Sequence, residues 1–258
     1  MNLLFIIISI SFLIFRHIFF WRNKISRPLN NKPLYIAHRG YNINSPDNSI
    51  SAIKSAIENG FTWVEVDVVA SKDEVLYCNH DFDLEETTDG AGYIYNHSSK
   101  NINMISYRDK KTNNYLERIA KLSVILEMFK NKINFNIEIK SNGMFDLSAA
   151  RAVTKLIERY NINSFIISSF NPIVILYFRL FNRKISTGLI LDSNSSYFLI
   201  HLLHPQFIHP KIELLSDQML SDSKKHNFGI NVWTLDNPII NKVLIKENID
   251  GIITDIKC

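Results

Sequence analysis

Short apolar and β-branched runs recur from residue 34 to the end of the chain, and most of them are separated by stretches with helical periodicity. The runs that predict strands are Leu34–Ala37, Trp63–Val69, Val75–Cys78, Phe135–Ile139, Phe165–Ser168, Ile185–Leu191, Gln206–His209, Ile230–Trp233 and Ile252–Thr254. The predicted helices are Asn48–Asn59, Leu122–Asn131, Leu147–Tyr160, Ile173–Phe181, Asp217–Lys225 and Pro238–Glu247. This alternation predicts a parallel sheet with helical crossovers.

One pair of predicted strands departs from the alternation. Only five residues separate Val69 from Val75, whereas a parallel crossover needs about a dozen. These two strands must therefore form an antiparallel hairpin. Counting the hairpin as one unit leaves eight βα units, the number that closes a barrel. We predict an α/β fold, a distorted (β/α)8 TIM-type barrel over residues 34–258, with a β-hairpin extension after its second strand.

The first 22 residues have a different character. An apolar run from Leu3 to Phe15 resumes at Ile18–Trp21, and basic residues follow it. No Lys or Arg precedes this run and no small-residue cleavage site follows it, which argues against a cleaved signal peptide. We predict an N-terminal transmembrane helix that anchors the chain over residues 1–22, then a basic linker over 23–33. An uncleaved secretion signal and a buried N-terminal helix are the alternatives.

Charge and cysteine content narrow the class of protein. With 46% hydrophobic residues the chain can build a packed core, and its two cysteines exclude a disulfide-stapled fold. The net charge is +4, but residues 1–32 hold five basic side chains and no acidic one, leaving 24 basic against 25 acidic residues beyond them. We therefore expect no nucleic-acid partner. The basic flank favours contact with anionic lipid and a cytoplasmic catalytic domain.

Histidines follow two of the predicted strands. Ala37-His38-Arg39-Gly40 ends the first strand, and Asn79-His80-Asp81 closes the hairpin. Residues at the carboxyl ends of barrel strands line the mouth, where active sites are built, and imidazoles there can transfer protons. A capped surface turn is the alternative for the His-Arg pair.

Carboxylates interrupt two strands that otherwise consist of apolar residues. Glu65 and Asp67 share one face of the second strand, because side chains alternate with a period of two. Two like charges side by side are unfavourable unless a cation joins them, and oxygen ligands suit Ca²⁺ or Mg²⁺. Glu138 and Lys140 share a face of a later strand. The alternative for Glu65 and Asp67 is a surface strand with two exposed acids. The alternative for Glu138 and Lys140 is an internal ion pair.

The register of the hairpin bears on this cluster. If the turn is centred between Lys72 and Asp73, Glu65 faces His80 and Asp67 faces Cys78. An imidazole would then lie beside the carboxylate pair. Cys78 itself is expected to be a small buried hydrophobe.

Three further histidines have no acidic residues near them at strand ends. His201, His204 and His209 lie close together in the sequence, but their spacing is loose for a zinc site. We interpret them as residues of a loop or of a helix surface.

The order of these motifs resembles the glycerophosphodiester phosphodiesterases. The matching motifs are His38-Arg39-Gly40, Pro46-Asp47-Asn48-Ser49, Glu65-Val66-Asp67, His80-Asp81, Ile137-Glu138-Ile139-Lys140, Ser168-Ser169-Phe170, Val232-Trp233-Thr234 and Gly251-Ile252-Ile253-Thr254-Asp255. The second of these departs from the usual Pro-Glu-Asn-Thr. The resemblance runs from about Leu34 to Asp255.

This resemblance implies a barrel enzyme that hydrolyses glycerophosphodiesters to glycerol 3-phosphate and an alcohol. It implies that His38 and His80 are the general acid and base, that Glu65, Asp67 and Glu138 hold the divalent cation (Ca²⁺ or Mg²⁺), that Arg39 and Lys140 bind phosphate, and that Trp233 lies beside the glycerol. The family mechanism uses the glycerol 2-hydroxyl as an internal nucleophile and passes through a cyclic phosphate. A membrane tether would add lysophospholipids as candidate substrates, with lysophosphatidate as the product.

Two other functions stay open at this point. A phosphoinositide-type phospholipase C-like phosphodiesterase resembles this barrel and also uses two histidines. A catalytically silent, membrane-tethered binding module is the alternative from another class. The presence of both histidines and all three carboxylates argues against a silent module.

Overall fold

The computed structural model describes residues 3–24, 33–108, 115–162, 164–237 and 249–256. Within them the strands are β1 Leu34–Ala37, β2 Trp63–Ala70, β3 Leu76–Cys78, β4 Ser106–Arg108, β5 Tyr115–Arg118, β6 Asn134–Ile139, β7 Phe165–Ser169, β8 Ser186–Leu191, β9 Phe207–Pro210, β10 Gly229–Val232 and β11 Gly251–Thr254. The helices are α1 Leu3–Phe19, α2 Ile50–Glu58, α3 Ser99–Ile102, α4 Leu122–Phe129, α5 Ser148–Tyr160, α6 Pro172–Phe181, α7 Ile200–Leu203 and α8 Asp217–His226.

Eight parallel strands close into a barrel. Their order is β1-β11-β10-β9-β8-β7-β6-β2, and a parallel pairing of β1 with β2 completes the ring. β3 pairs antiparallel with the far end of β2. The predicted TIM-type barrel with a hairpin after its second strand is therefore confirmed, and each predicted strand is present with its ends within one residue.

Alternation along β2 separates the core from the site. Val64, Val66 and Val68 are fully buried in the apolar layer that also contains residues of α4 and α5. Glu65 and Asp67 point to the opposite side of the strand, into the barrel. The apolar residues thus hold β2 in place while the acids are held together inside.

Local capping defines where the crossover helices begin. Ser49 Oγ accepts the Ala52 N–H at the start of α2. Asn171 Oδ1 accepts the Ile173 N–H at the start of α6, with Pro172 in its first turn. These are the residue types that satisfy free N–H groups at helix starts. The predicted helix Pro238–Glu247 lies outside the described residues.

The hairpin register differs by one residue from the prediction. Cys78 pairs with Val68 and not with Asp67. The turn wraps around Asp73, whose Oδ1 accepts the Ser71 hydroxyl at 2.7 Å and the Ser99 N–H at 2.7 Å. Contact with α3 thus sets the turn, and the sequence of the hairpin alone did not reveal it. The small antiparallel pair β4–β5 was not predicted, because Ser-Tyr-Arg and Tyr-Leu-Glu-Arg contain no run of apolar or β-branched residues.

The predicted transmembrane helix over residues 1–22 is not supported. No helix among the described residues is both long enough and apolar enough to cross a membrane. α1 has 17 residues, or about 25 Å at 1.5 Å per residue. It ends at Phe19 because the chain then packs on the barrel, where Trp21 is 8% exposed and stacks between His204 and His226 at 4.5 and 4.4 Å.

Residues 21–24 attach to the amino-terminal face of the barrel. Asn23 N–H donates to the His226 carbonyl, and Asn23 Nδ2 donates to the Pro205 carbonyl at 2.8 Å. Pro205 lies just before β9, and His226 is the last residue of α8, just before β10. α1 is therefore joined to the end of the barrel opposite the carboxyl ends of its strands.

Candidate active site

The predicted polar residues converge at the carboxyl-terminal ends of the barrel strands. Seven of the eight line one central cavity of about 130 Å³: His38, Arg39, Glu65, His80, Glu138, Lys140 and Trp233. The eighth, Asp67, is buried and forms ion pairs with two of them. The barrel thus brings together residues that are nearly 200 positions apart in the chain.

Three carboxylates form the acidic part of the site. The register of β2 with β6 places Asp67 opposite Glu138, and ligand oxygens of Glu65, Asp67 and Glu138 lie within 4.8 Å of one another. Glu65 and Asp67 are 2% and 1% exposed. Burial, together with the neighbouring charge of Asp67, raises the pKa of Glu65 to about 8.

Two cations hold Asp67 in its ionised form. Arg39 Nε lies 3.2 Å from Asp67 Oδ2, and Lys140 Nζ lies 2.9 Å from Asp67 Oδ1. Burial by itself raises the pKa of Asp67, but Lys140 and Arg39 outweigh burial and hold that pKa at about 2. Lys140 also pairs with Glu138. Burial, then the Asp67 charge, nevertheless raises the pKa of Glu138.

The turn after β1 places hydrogen-bond donors against Glu65 and Asp67. Arg39 adopts φ +53° and Asn48 adopts φ +62°, both in the left-handed region. The Arg39 N–H then donates to Glu65 Oε2 at 2.9 Å. Asn48 Nδ2 donates to Asp67 Oδ2 at 3.0 Å, and the Asp67 N–H donates back to Asn48 Oδ1 at 2.9 Å. Gly40 completes this turn with φ +87°, where a Cβ would lie 2.7 Å from Ala52.

The acidic cluster fits a divalent cation. Glu65 Oε1 is buried without a hydrogen-bond partner among the described residues, although an unpaired buried acid is costly. Three carboxylates face only two cationic side chains, Arg39 and Lys140, in this cluster. An oxygen-rich donor set of this kind suits a hard divalent ion.

His38 and His80, two of the histidines that line the cavity, are each oriented by an aspartate. His38 Nδ1 lies 2.9 Å from Asp255 Oδ1, and His80 Nδ1 lies 2.8 Å from Asp81 Oδ1. Burial lowers the pKa of His38, but the Asp255 hydrogen bond and the Glu65 charge outweigh it and raise that pKa above its ordinary 6.5. Burial and the Lys140 charge lower the pKa of His80. The two imidazoles therefore titrate on opposite sides of 6.5.

Aromatic rings form one wall of the cavity. Trp233 and Phe170 meet edge to face with centroids 5.7 Å apart, and Lys140 Nζ lies 5.8 Å from the Phe170 centroid. Trp233 Nε1 donates to the His209 carbonyl at 2.8 Å, which holds the indole in place. An acidic cluster, two cationic side chains and an apolar wall suit a phosphate ester with a carbon-rich substituent.

A comparison with protein families decides what kind of site this is. The model of the glycerophosphoryl diester phosphodiesterase family matches residues 38–256. The chain belongs to this family. It is accordingly a phosphoric diester hydrolase, as the order of its sequence motifs predicted.

Two relatives match this chain over most of their own length. The glycerophosphodiester phosphodiesterase of Caldanaerobacter subterraneus subsp. tengcongensis is 30% identical over 229 residues, covering 87% of this chain and 94% of that one. A glycerophosphodiester phosphodiesterase from Parabacteroides distasonis, 25% identical, superposes with a TM-score of 0.75, covering 87% and 93%.

A second solved structure shares the fold at lower identity. An Oleispira antarctica phosphodiesterase, solved in complex with the product sn-glycerol-3-phosphate, is 23% identical, has a TM-score of 0.79, and covers 87% of this chain and 93% of its own. The barrel of this glycerophosphodiester phosphodiesterase is thus that of solved phosphodiesterases.

The location of His209 was predicted wrongly from the sequence. It lies on β9 inside the barrel and is fully buried, not on a loop or helix surface. Burial lowers its pKa to about 3. Gly188 makes room for it, since a Cβ there would lie 2.6 Å from the ring. The available signal was the period of two, which puts His209 on the same face of the predicted strand as Phe207.

Asp255 and Phe170 also belong to the site and were not assigned to it. Asp255 follows β11, and its contact with His38 joins the last strand of the ring to the first. Cys78 is buried, as predicted, and His201 and His204 contact Trp21 and not the site.

Proposed function

We propose that the enzyme hydrolyses glycerophosphodiesters to glycerol 3-phosphate and an alcohol, with a divalent cation and with His38 and His80 as the proton carriers. The observation that supports this most is the convergence of both histidines, the phosphate-binding bases and the acidic cluster on one cavity of about 130 Å³. The Oleispira antarctica protein with bound sn-glycerol-3-phosphate supports the same product.

The phosphate group would bind between the positive side chains and the acidic cluster. Glu65, Asp67 and Glu138 would hold Ca²⁺ or Mg²⁺, which supplies positive charge for the phosphoryl oxygens. Arg39 and Lys140 contribute fixed charge at the same place, because their ion pairs with Asp67 hold them in position. This preorganised charge stabilises the negative oxygens of the transition state.

The histidines carry protons between the reacting oxygens. Since Nδ1 of each ring is engaged by an aspartate, Nε2 is the nitrogen left for the substrate. One imidazole accepts the proton of the attacking glycerol 2-hydroxyl while the other donates a proton to the departing alcohol. They exchange these roles when water opens the cyclic phosphate.

The direct test is product analysis with the full chain. With Ca²⁺ or Mg²⁺ present, glycerophosphocholine is expected to yield choline and glycerol 3-phosphate. Release of phosphocholine would instead support the phospholipase C-like function. Absence of any product, in protein shown to be folded and supplied with either cation, would support the silent binding module.

Lysophospholipids form a second class of candidate substrates. A shallow groove continues from Lys140 and Phe170 past Met144 and Pro172. Beyond it Phe145 is 80% exposed, and an acyl chain could cover this apolar surface. Lysophosphatidylcholine should then release choline and lysophosphatidate in the same assay.

The pH dependence of kcat/KM should be bell-shaped with limbs on either side of 6.5. The rate falls on the acid side as His80 binds a proton, because its pKa is lowered. It falls on the alkaline side as His38 loses one, because its pKa is raised. Asp255→Asn removes the group that raises the pKa of His38, so the alkaline limb should move to lower pH.

Asp81→Asn is the matched control for that pH profile. It should move only the acid limb, again to lower pH, since Asp81 raises the pKa of His80. Movement of both limbs in either variant would contradict the assignment of one histidine to each limb.

Helix α1 exposes a large apolar surface. Ten large apolar side chains between Phe5 and Phe20 are each 49–72% exposed, and Arg16, Arg22 and Lys24 are exposed near its end. Exposed apolar surface on this scale is typical of interaction sites. Membrane lipid is the proposed partner, and attachment at the amino-terminal face would leave the catalytic mouth at the other end, toward water.

Cosedimentation with vesicles tests the proposed lipid contact. The full chain should pellet with vesicles of phosphatidylcholine containing phosphatidylserine. The double variant Ile10→Glu and Leu13→Glu should stay in the supernatant and retain full hydrolysis of glycerophosphocholine, because both residues are more than half exposed. Equal pelleting of both proteins would contradict lipid contact through α1.

A further inference from the structure

A second and larger cavity opens from the central one. This cleft has a volume of about 380 Å³ and lies between the loop 41–48 after β1 and the segments after β3 and up to the end of β4. Arg39 and His80 line both the cleft and the central cavity. The two spaces are thus neighbours, with His80 at their boundary.

The central cavity is too small for a whole diester. Its volume of about 130 Å³ is well below the ~300 Å³ at which pockets for complete small ligands begin. It can therefore hold the phosphate and one of the two alcohols. The other alcohol must extend into an adjoining space, which is either this cleft or the apolar groove beyond Phe170.

The walls of the cleft are polar, but its acids are already engaged. Asp47 accepts hydrogen bonds from Arg39 at 3.3 Å and from Asn42 at 2.8 Å. Asp81 is paired with His80 at 2.8 Å. Both carboxylates therefore already have hydrogen-bond partners within the protein.

The cleft also lacks an aromatic cage for a quaternary ammonium group. Among the described residues that line it, Tyr107 is the single aromatic one. Tyr107 is 2% exposed, and its hydroxyl donates to the Cys78 carbonyl. It offers no ring face of the kind that binds choline.

Arg108 supplies an unpaired positive group. It ends β4 and lines the cleft, and its Nε is buried without a hydrogen-bond partner in the described part of the chain. A guanidinium in this setting matches a carboxylate or other acceptor-rich group, to which it can donate two parallel hydrogen bonds.

We propose that this cleft is the subsite for the departing alcohol, and that Arg108 makes it select head groups that carry a carboxylate, such as serine, over choline. The inference rests on the proposed function, because it assumes that a phosphodiester reacts in the central cavity.

Steady-state kinetics of the full chain on two substrates tests the subsite. Arg108→Gln should lower kcat/KM for glycerophosphoserine about 10- to 100-fold, mostly through KM, as expected for a lost charge-assisted hydrogen bond. The value for glycerophosphocholine should change less than about threefold. Arg108→Lys should keep part of the serine preference, since the charge remains while the planar fork is lost.

Arg118→Gln is the matched control in the same two-stranded sheet. Arg118 lies on β5, pairs with Ser106 in register, and lines neither cavity. It should leave both substrates unaffected. Equal losses on both substrates in Arg108→Gln, or no loss on glycerophosphoserine, would overturn the subsite. Failure of the unsubstituted enzyme to form glycerol 3-phosphate from either substrate would instead overturn the proposed function.

Discussion

Replacement of His80 by alanine is expected to lower kcat for glycerophosphodiester hydrolysis about 10²- to 10⁴-fold, the range that positioned acid–base groups contribute. His80 lines the central cavity and its Nδ1 is oriented by Asp81 at 2.8 Å. Without it, the described residues place no other imidazole at the boundary with the cleft. KM should change little, because Arg39 and Lys140 remain to bind the phosphate.

His97→Ala is the matched control for this experiment. His97 belongs to the segment between β3 and β4, is half-buried, lines neither cavity, and bonds through its ring to the Ala91 carbonyl. It should retain full activity. His38→Ala should show a loss comparable to that of His80→Ala, since each histidine serves once as acid and once as base. A rate within threefold of the unsubstituted enzyme in either catalytic variant would refute the two-histidine mechanism.

Removal of the divalent cation is the second change with a large expected effect. EDTA should stop hydrolysis, and added Ca²⁺ or Mg²⁺ should restore it. Glu65→Gln should lower activity at fixed cation concentration by at least about 100-fold, more than loss of a supporting residue around a metal. The reason is that Glu65 Oε1 is buried with no partner in the described structure and lies within the acidic cluster.

Glu65→Gln should stabilise the protein against unfolding when no metal is present. Burial and the Asp67 charge raise the pKa of Glu65 to about 8. Folding without metal at pH 7 therefore leaves Glu65 mostly protonated at a cost in free energy, and Gln removes that cost at nearly constant volume. The melting temperature of the EDTA-treated Glu65→Gln protein should therefore exceed that of the EDTA-treated parent. Activity of Glu65→Gln equal to that of the parent at low cation concentration would contradict a role for Glu65 in metal binding.

The barrel and most of its site could be predicted from local patterns. A strand buried on both faces is expected to consist of apolar residues. Charged residues within such strands, namely Glu65, Asp67 and Glu138, can therefore be recognised as candidate site residues. The five-residue gap before Val75 required a hairpin, because no parallel crossover is that short. Order and spacing of these motifs then sufficed to indicate the family, which the family comparison confirmed.

The remaining features depend on contacts between distant parts of the chain. The hairpin register depends on the contact of Asp73 with Ser99. His209 is interior because Gly188 on the neighbouring strand leaves space for its ring. Helix α1 ends at Phe19 because Trp21 stacks between the imidazoles of His204 and His226 on the barrel.

The sequence by itself therefore determined the fold class, the family and the eight polar residues, since each of these follows from periodicity and motif order along the chain. The tertiary structure alone decided that Asp255 orients His38, that α1 is joined to the face opposite the mouth, and that a cleft lined by Arg108 adjoins His80. The physical reason is that cavities and side-chain partners arise only when strands far apart in sequence close the ring.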